Sequence, residues 1–559
     1  MRILSSLFLS CLLIFSITAQ ELRPPLNIPL QLSGNFGELR PNHFHSGIDF
    51  KTGGTVGKSV VAVEDGYVSR VAINTGGYGK ALYIDHPSLG YTTVYGHLDG
   101  FSPAIEAYVY QKQMEQQAYI IDIKVPADSL PVQRGKEVAL SGNTGSSGGP
   151  HLHFEVRETE SEKPIDPLPF YKQKLKDTSK PEMESIAVVP AKGLGVVEGK
   201  TEKSVYSTKQ STAGTYQADT VTAWGKVGIA LKCHDRMDGV RNVFGVKDIR
   251  LTVDSELIFS SSLTKFAFDE TRYINSFIDY EAWKNKEGFF QKCYTEPGNR
   301  LPFISTINQG MVNIDSERDY HVQTELEDEY GNQSTLSFVI TGKRQKIDNN
   351  EEPCENLFSW RAPNRFRGKG IDLELPRGAI YNSFCFNYSV GATDSAALAA
   401  THRLHNDNTP LHTYCRLAIF LNSDPVADKS KYGIERVTPK GNVWIGGSYR
   451  NGWVEGRIRE FGTYTAGVDT IAPKITPSGT PQQWVQKRQI ELRLTDDKSG
   501  IDSFKTYIDG EFVLFDIDRK SVIRTDLSTL PQTKKTRELT IELRDKCGNT
   551  TLYKERFEW

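Results

Sequence analysis

GGPHLHFEV, residues 148–156, places two histidines one residue apart in a run of strand-forming residues. Side chains two positions apart on a β-strand point to the same face of the sheet. His151 and His153 therefore share one face of the predicted strand. Either the two rings cover a solvated sheet face, or they hold something together, and the surrounding sequence favours the second alternative.

Other residues of the same N-terminal region carry metal-binding chemistry. His45 and Asp49 form an H-x-x-x-D motif in FGELRPNHFHSGIDF (residues 36–50), and His97 ends a predicted strand in VYGHL. Catalytic zinc sites usually have three protein ligands of the His and carboxylate type and keep one position for water, whose pKa falls towards ~7. His45, Asp49 and one histidine of the H-x-H pair supply such a set. No H-E-x-x-H occurs in the sequence, so the general base must be a histidine.

The motifs FGELR, HSGID, GGYGKALYIDH, YTTVYGHL and GNTGSSGGPHLHFEVR resemble, in this order, the lysostaphin-like or LytM-type zinc metallopeptidases of family M23. The resemblance covers about residues 30–165, under a third of the chain. It implies one Zn²⁺ per chain, with His45, Asp49 and His153 as the metal ligands. It also implies that His151 and His97 are the catalytic pair. His151 would take a proton from the attacking water and pass it to the leaving amine, and His97 would stabilise the oxyanion or orient the water.

The remaining histidines are expected to play structural roles. His43 forms a second H-x-H with His45, and His86 lies in a D-H-P turn, where we expect a surface position. Arg40 in FGELR is expected to support the site or a strand. The other histidines lie outside the motif region: His234, His321, His402, His405 and His412.

The 559 residues are too many for one hydrophobic core, and the sequence predicts a mainly β protein of several domains. Residues 20–178 alternate short strands with turns and are predicted to form an antiparallel β peptidase domain. KSVVAVEDGYVSRVAI within it predicts two strands joined at Asp65-Gly66. The segment after His97 is longer than the turn usual in the family. We expect a helical turn or two and a strand there, either as a surface excursion or as a lid.

About three β-sandwich (Ig-like) modules are predicted to follow, at residues 179–345, 346–468 and 469–559. The first and the last echo each other, because both close on a D-x-x-G-N turn, DEYGN at 328–332 and DKCGN at 545–549. The charged segment 342–353 and DTIAPKI at 469–475 are the predicted linkers. A fold does not fix a function, so the modules remain candidates for spacers, adhesion modules, partner-binding sites or a cover over the peptidase cleft.

The N-terminus predicts export. Arg2 precedes an apolar run that ends in small residues at Ala19, which is typical of a signal peptide covering residues 1–19. A retained N-terminal anchor is the alternative, and no later segment is apolar enough to span a bilayer. Cys11 lies inside the run, so a lipid anchor is not predicted. The six cysteines that follow permit disulfides or buried thiols in a periplasmic or cell-envelope protein.

The charge balance limits the function classes. With 67 basic and 69 acidic residues, the chain lacks the excess positive charge of a nucleic-acid binder. The leading hypothesis is a secreted zinc metalloendopeptidase that hydrolyses the peptide cross-bridges of peptidoglycan, a substrate class that comes from the resemblance. The alternatives are a non-catalytic LytM-like cell-wall-binding or regulatory scaffold and a zinc endopeptidase acting on protein substrates.

Overall fold

The computed structural model describes residues 21–347, 353–391, 397–532 and 535–559. The predicted signal peptide, residues 1–19, lies outside these ranges. The described chain is mainly β, as predicted from the sequence. Within the described residues, no helix combines the length and the apolar character needed to cross a membrane.

The N-terminal region is built around one large antiparallel sheet with the order β1-β4-β13-β8-β7-β6-β10. A smaller sheet, β5-β12-β9, packs beside it. The predicted strands KALYIDH, YTTVYGHL and HLHFEVRE appear as β7, β8 and β13. The strands are β1 Leu32–Gly34, β2 Leu39–Arg40, β3 His43–Phe44, β4 Ile48–Lys51, β5 Ser59–Val61, β6 Gly66–Ile73, β7 Lys80–His86, β8 Tyr91–Leu98, β9 Gly100–Phe101, β10 Ile121–Lys124, β11 Pro131–Val132, β12 Glu137–Leu140, β13 His151–Glu158 and β14 Pro164–Ile165.

The two strands predicted on either side of Asp65-Gly66 are present as β5 and β6, and the turn between them joins two sheets. β5 and β6 lie in different sheets, and a Cβ on Gly66 would lie 2.1 Å from the Asp85 carbonyl oxygen. His86 holds this corner, because its Nδ1 donates to the Asp65 carbonyl at 2.9 Å and its Nε2 contacts Thr93 Oγ1 at 2.8 Å. The expectation that His86 lies at the surface was therefore wrong, since its side chain is buried.

The segment after His97 forms a longer helix than expected. Helix α1, Pro103–Gln116, begins at a proline and ends where Gln117 adopts a left-handed conformation. The predicted strand follows as β10, which pairs with β6 at the edge of the large sheet. Lys505 Nζ of the last module contacts Gln117 Oε1 at 3.3 Å. The segment is thus packed between the N-terminal region and the end of the chain.

Three further groups of strands follow, each with sheets of its own. The mainly β class is confirmed, while the Ig-like topology and the domain boundaries stay predictions. The first group contains β15 Glu182–Val197, β16 Ser204–Ser207, β17 Lys209–Thr212, β18 Thr215–Gln217, β19 Val221–His234, β20 Asp248–Val253, β21 Glu256–Ser262, β22 Gln291–Lys292, β23 Ile304–Thr306, β24 Val312–Ile314, β25 Asp319–Glu327 and β26 Gln333–Gly342, with helices α2 Ile274–Phe277 and α3 Tyr280–Lys284.

The second group spans residues 357–468 and the third residues 474–558. The second contains β27 Leu357–Phe358, β28 Asn364–Gly368, β29 Ile371–Leu375, β30 Phe384–Cys385, β31 Tyr388–Val390, β32 His402–Leu404, β33 Pro410–Phe420, β34 Tyr432–Thr438, β35 Gly441–Gly446, β36 Ser448–Arg450, β37 Trp453–Glu460 and β38 Gly462–Val468. The third contains β39 Lys474–Pro477, α4 Pro481–Lys487, β40 Gln489–Thr495, β41 Ile501–Ile508, β42 Glu511–Phe512, β43 Asp516–Ile517, β44 Val522–Asp526, β45 Thr536–Asp545 and β46 Thr550–Glu558.

The hydrophobic core of the N-terminal region continues into the first group of strands after it. One cluster of buried side chains includes residues from Leu22 to Ile340. Phe44 lies at the junction, with its ring centroid 5.8 Å from that of Phe266 and 5.7 Å from that of Phe303. The second and third groups have separate cores. The first module therefore shares a hydrophobic core with the N-terminal region.

The cysteines form fewer bridges than their even number permits. Cys354 and Cys385 form one disulfide, which joins the start of the second group to β30. The other four cysteines in the described ranges are free thiols: Cys233, Cys293, Cys415 and Cys547.

Candidate active site

The β13 strand carries a line of polar side chains on one face. His151, His153, Glu155 and Arg157 alternate with buried apolar residues that face the core. On one side of β13, strand β4 brings Asp49 directly opposite His153. On the other side, β8 ends at the site. The line of polar residues therefore lies in the middle of the large sheet.

His45, Asp49 and His153 meet at one point on this face, and all three side chains are buried. His45 Nε2 lies 3.0 Å from His153 Nδ1 and 3.1 Å from Asp49 Oδ1. His153 Nδ1 lies 3.0 Å from the same Asp49 oxygen. Gly47 lets the loop that carries His45 approach β13 this closely, because a Cβ there would lie 2.3 Å from the Phe154 carbonyl oxygen.

The outer nitrogens of both rings are already hydrogen-bonded. His45 Nδ1 donates to the Asn35 carbonyl at 2.7 Å, and His153 Nε2 donates to Glu155 Oε1 at 2.8 Å. In their neutral forms the two rings therefore direct lone pairs at each other and at the Asp49 carboxylate. Three converging acceptors repel one another unless a proton or a metal ion lies between them.

The donor set fits zinc. Zinc bonds of about 2.0–2.1 Å in tetrahedral geometry place the donor atoms roughly 3.3–3.4 Å apart. The separations here are 3.0–3.1 Å, and the two imidazoles and one carboxylate are ligand types that zinc takes in catalytic sites. Burial opposes the charged form of His153, but its hydrogen bonds to Asp49 and Glu155 raise its pKa to about 9. Burial also disfavours the charged Asp49, yet the neighbouring histidines hold its pKa well below the usual value.

Further polar side chains, some buried and some partly exposed, support the three residues. Arg40 Nη2 donates to Asp49 Oδ2 at 2.7 Å, which leaves Oδ1 for the centre of the site. Glu155 accepts hydrogen bonds from Ser46 Oγ and Tyr78 OH, each at 2.6 Å, as well as from His153. Such outer partners orient metal-binding histidines and fix their tautomers. The expectation that Arg40 supports the site agrees with this contact.

Glu155 and Arg157 are site residues that the sequence analysis missed. Arg157 Nε and Nη2 both lie 2.6 Å from Glu155 Oε2, so a buried ion pair stands behind His153. Burial disfavours its charged form, but Arg157 keeps the pKa of Glu155 below the usual value. The signal was present in HLHFEVR, where the alternation of two-residue period continues past the second histidine.

His151 and His97 lie beside the three converging donors. His151 Nε2 is 3.5 Å from Asp49 Oδ1, and its Nδ1 donates to the Gly149 carbonyl at 2.7 Å. The centroid of the His97 ring is 4.7 Å from that of His151. The structure thus brings all five sequence-predicted site residues together. His43 lies outside this group, exposed, with its Nδ1 bonded to the Pro41 carbonyl.

His97 is held in an unusual backbone conformation and in one tautomer. Its φ of 59° is in the left-handed region. Residues other than glycine adopt this region rarely, and those that do are often found at functional sites. Its Nδ1 donates to the Thr144 carbonyl at 2.9 Å. Burial, together with the charges of His153 and His151, lowers the pKa of His97 to about 3. The ring is therefore neutral at pH 7 and offers Nε2 as an acceptor.

Two downstream modules make hydrogen bonds to residues next to the site, each between a side chain and a backbone group. Asn35, whose carbonyl holds His45, makes two side-chain hydrogen bonds of 2.8 Å to the backbone of Gly245 in the first module. In the last module, Arg519 Nη1 donates to the Ser147 carbonyl at 2.6 Å. Ser147 Oγ is 3.2 Å from His151 Nδ1. Each module therefore bonds a residue, Asn35 or Ser147, that itself contacts a predicted site histidine.

Comparisons with known proteins agree with this geometry. The sequence model of the family described as "Peptidase family M23" matches residues 43–115. The model described as "Zu5-like domain" matches residues 355–469. An uncharacterized metalloprotease of Haemophilus influenzae is 36% identical over 119 residues, which are 21% of this chain and 19% of the relative. The DD-carboxypeptidase/endopeptidase Mpg of Neisseria meningitidis is 32% identical over 124 residues, 22% of each chain. The peptidoglycan DD-endopeptidase ShyB of Vibrio cholerae is 36% identical over 113 residues, 20% of each chain.

These matches span about a fifth of the length of each relative. They also cover about a fifth of this chain. The residues matched by the M23 family model include His45, Asp49 and His97. The converging donors and the strand order around them lie in the same N-terminal region. The chain therefore carries a Peptidase family M23 domain near its N-terminus.

Proposed function

We propose that this chain is an exported zinc metalloendopeptidase that hydrolyses the peptide cross-bridges of peptidoglycan. The observation that carries the proposal is the convergence of His45 Nε2, Asp49 Oδ1 and His153 Nδ1, with two further histidines beside them. The substrate class is supported by the relatives named as DD-endopeptidases. An exported location is supported by the predicted signal peptide and by this substrate class.

The three converging residues would hold one zinc ion. When bound there, zinc would lower the pKa of a water molecule and polarise the carbonyl of the scissile bond. Asp49 keeps its second oxygen on Arg40, and His153 keeps its outer nitrogen on Glu155. These bonds fix the ligand rings and the carboxylate before substrate arrives, so that binding requires little rearrangement.

His151 is the proposed general base. Its Nδ1–H donates to the Gly149 carbonyl, which leaves Nε2 with the lone pair that accepts a proton from the attacking water. The same carbonyl stabilises the imidazolium that then forms. His151 next delivers the proton to the leaving amine, which completes hydrolysis of the amide.

His97 is proposed to orient the attacking water. The sequence analysis left two roles for this ring, donation to an oxyanion or orientation of the water. Because Nδ1–H is engaged by the Thr144 carbonyl and the ring is neutral, Nε2 acts as an acceptor. An acceptor at this place favours orientation of a water O–H over stabilisation of an oxyanion.

Digestion of purified sacculi tests the proposal. Zinc-loaded protein is expected to release peptides whose masses identify the bond cleaved. His151→Ala is expected to keep one zinc per chain and to lose activity by about 10²–10⁴-fold, the usual contribution of a general base. His153→Ala is expected to lose both zinc and activity, and His43→Ala, the matched control, to keep both.

The outcome also separates the alternatives. Absence of released peptides from sacculi, with one zinc bound, would reject a peptidoglycan hydrolase. A chain that then cleaves unfolded proteins is a protein endopeptidase. A chain that cleaves neither but binds sacculi is a cell-wall-binding scaffold.

A further inference from the structure

Two clusters of three aspartates lie outside the M23 site. The first aspartate cluster consists of Asp177, Asp235 and Asp328, and all three are buried. Each offers a carboxylate oxygen, and these oxygens lie within 4.8 Å of one another. The second aspartate cluster, in the last module, consists of Asp469, Asp496 and Asp545, whose carboxylate oxygens also lie within 4.8 Å of one another.

The D-x-x-G-N turn builds one corner of the first aspartate cluster. Asp328 Oδ1 accepts hydrogen bonds from the backbone N–H groups of Tyr330 and Asn332, each at 2.8 Å. The Asn332 side chain donates to Asp328 Oδ2 at 2.7 Å and to the Asp177 carbonyl at 3.3 Å. The turn therefore ties the end of the module to the segment by which the chain enters it.

The second aspartate cluster repeats these contacts. Asp545 Oδ1 accepts from the N–H groups of Cys547 at 2.9 Å and Asn549 at 2.8 Å. The Asn549 side chain donates to Asp545 Oδ2 at 2.7 Å and to the Asp469 carbonyl at 3.1 Å. The internal echo seen in the sequence is thus a repeat of a three-aspartate arrangement, and each copy lies where the chain enters a module.

The first aspartate cluster has no ion-pair partner among the described residues, and Lys247, which lines the same cavity, pairs with Glu329. Lys176 and Arg236, the basic residues next to its members, form ion pairs with Asp238 and Glu182. Within the described ranges, no lysine or arginine forms an ion pair with any of the three aspartates. Buried carboxylates normally pair with a cation or bind a metal, since removing their charge from water is costly.

One carboxylate oxygen of this cluster lacks a hydrogen-bond partner. Asp235 is 4% exposed, and its Oδ1 accepts no hydrogen bond from any described residue. The three aspartates are among the residues that line one cavity of about 20 Å³, which is room for one water-sized sphere. These features are those of a cation site: a cluster of buried carboxylates, one oxygen without a partner, and a small cavity beside them.

We propose that the first aspartate cluster binds Ca²⁺. Ca²⁺ takes about six to eight oxygen ligands at roughly 2.3–2.6 Å, so oxygens on opposite sides of the ion lie about 4.6–5.2 Å apart. The separations within 4.8 Å in the cluster accommodate this geometry. An all-carboxylate set with no sulfur or imidazole favours a hard cation over zinc or copper.

The bound ion would fix the junction between the M23 domain and the first module. Asp177 lies between the last turn of the N-terminal region, Leu168–Tyr171, and strand β15. Asp235 follows β19, and Asp328 follows β25. One ion would therefore join three segments that are far apart in the chain, and it would hold the module whose Gly245 positions Asn35 beside the site.

Calcium titration of the full mature chain tests this inference. The protein is passed over chelating resin, reloaded with one equivalent of zinc and titrated with CaCl₂ by calorimetry. We expect binding that is saturable at or below millimolar Ca²⁺ and that raises the melting temperature by about 5 °C. We expect two Ca²⁺ ions per chain if the second aspartate cluster also binds Ca²⁺, and one if it does not.

Two variants assign the binding. Asp235→Asn is expected to lose one bound Ca²⁺ and the matching thermal shift. In calcium-free buffer it is expected to melt at the same or a higher temperature than wild type, because it replaces a buried carboxyl group that faces two others. Asp219→Asn is the matched control, because this exposed aspartate of the same module pairs only with Lys209. No Ca²⁺ binding by wild type, or unchanged stoichiometry and affinity in Asp235→Asn, would overturn the proposal.

Discussion

The buried pair of Glu155 and Arg157 gives the sharpest prediction about what holds the metal site in shape. Glu155 is fully buried and accepts hydrogen bonds from His153, Ser46 and Tyr78 in addition to its ion pair with Arg157. Glu155→Gln keeps the size of the side chain but removes its charge. The substitution therefore separates the electrostatic contribution of this carboxylate from its packing.

Two free energies change. Arg157 is 5% exposed, and taking away the partner of a buried charge costs about 3–5 kcal/mol in the free energy of unfolding. His153 loses the carboxylate that orients its ring and increases its basicity, so zinc affinity is expected to fall about 10–100-fold, equivalent to about 1.4–2.7 kcal/mol. Urea unfolding measures the first quantity, and competition with a fluorescent chelator measures the second.

Glu158→Gln provides the control on the same strand. Glu158 is partly exposed at the end of β13 and bonds Ser161 and Lys265, so its substitution should change stability by less than about 0.5 kcal/mol. If Glu155→Gln binds zinc as tightly as wild type and unfolds like Glu158→Gln, the carboxylate does not support His153 and the reasoning is refuted.

Three further predictions follow from contacts at the site. Arg519→Ala should keep zinc and change the rate of sacculus digestion by at most about tenfold, because one partly buried hydrogen bond from a charged group to Ser147 is worth about 1.5 kcal/mol. A larger effect would show that the last module controls access to the cleft. Zinc binding to apo-protein at pH 7 should release about one proton, since the raised pKa of His153, about 9, keeps that ring protonated until the metal displaces the proton. Apparent zinc affinity should then rise about tenfold per pH unit from 7 to 9, and calorimetry in buffers of different ionisation enthalpy that finds no proton release would contradict the assignment. Truncation after residue 175 should give an aggregating or unfolded product, because it exposes Phe44 and removes Phe266; a soluble, active fragment would show that the shared core is dispensable.

The sequence predicts the centre of the site because the motif residues lie on neighbouring strands. A two-residue period places His151 and His153 on one face, and β4 pairs with β13 so that Asp49 meets His153. The same period extends to Glu155 and Arg157, which was overlooked because the pattern was followed only as far as the second histidine.

Other features depend on contacts between distant parts of the chain. The bond between Asn35 and Gly245 joins residues 210 positions apart, and nothing in either local sequence indicates it. The same is true of Phe44 and Phe266, which bring the first module into the core. Helix α1 was underestimated because its apolar positions are few, and it is stabilised largely by packing against neighbouring elements.

The aspartate clusters show an intermediate case. The two D-x-x-G-N turns were visible as an internal repeat, and the structure confirms their matching hydrogen bonds. The partners of the first turn, Asp177 and Asp235, come from separate segments of the chain. The sequence therefore predicted the repeated turn. The grouping of three carboxylates depends on the tertiary fold and was not predicted.

Anomalous X-ray diffraction at the zinc absorption edge, from crystals of the purified mature chain, tests the central claim most directly. We expect one strong peak within bonding distance of His45 Nε2, Asp49 Oδ1 and His153 Nδ1, at about 2.0–2.2 Å from each. His151 should lie beside this peak without bonding to it. A peak coordinated by His151 in place of His153, or no peak at the three converging atoms in zinc-loaded crystals, would contradict the account.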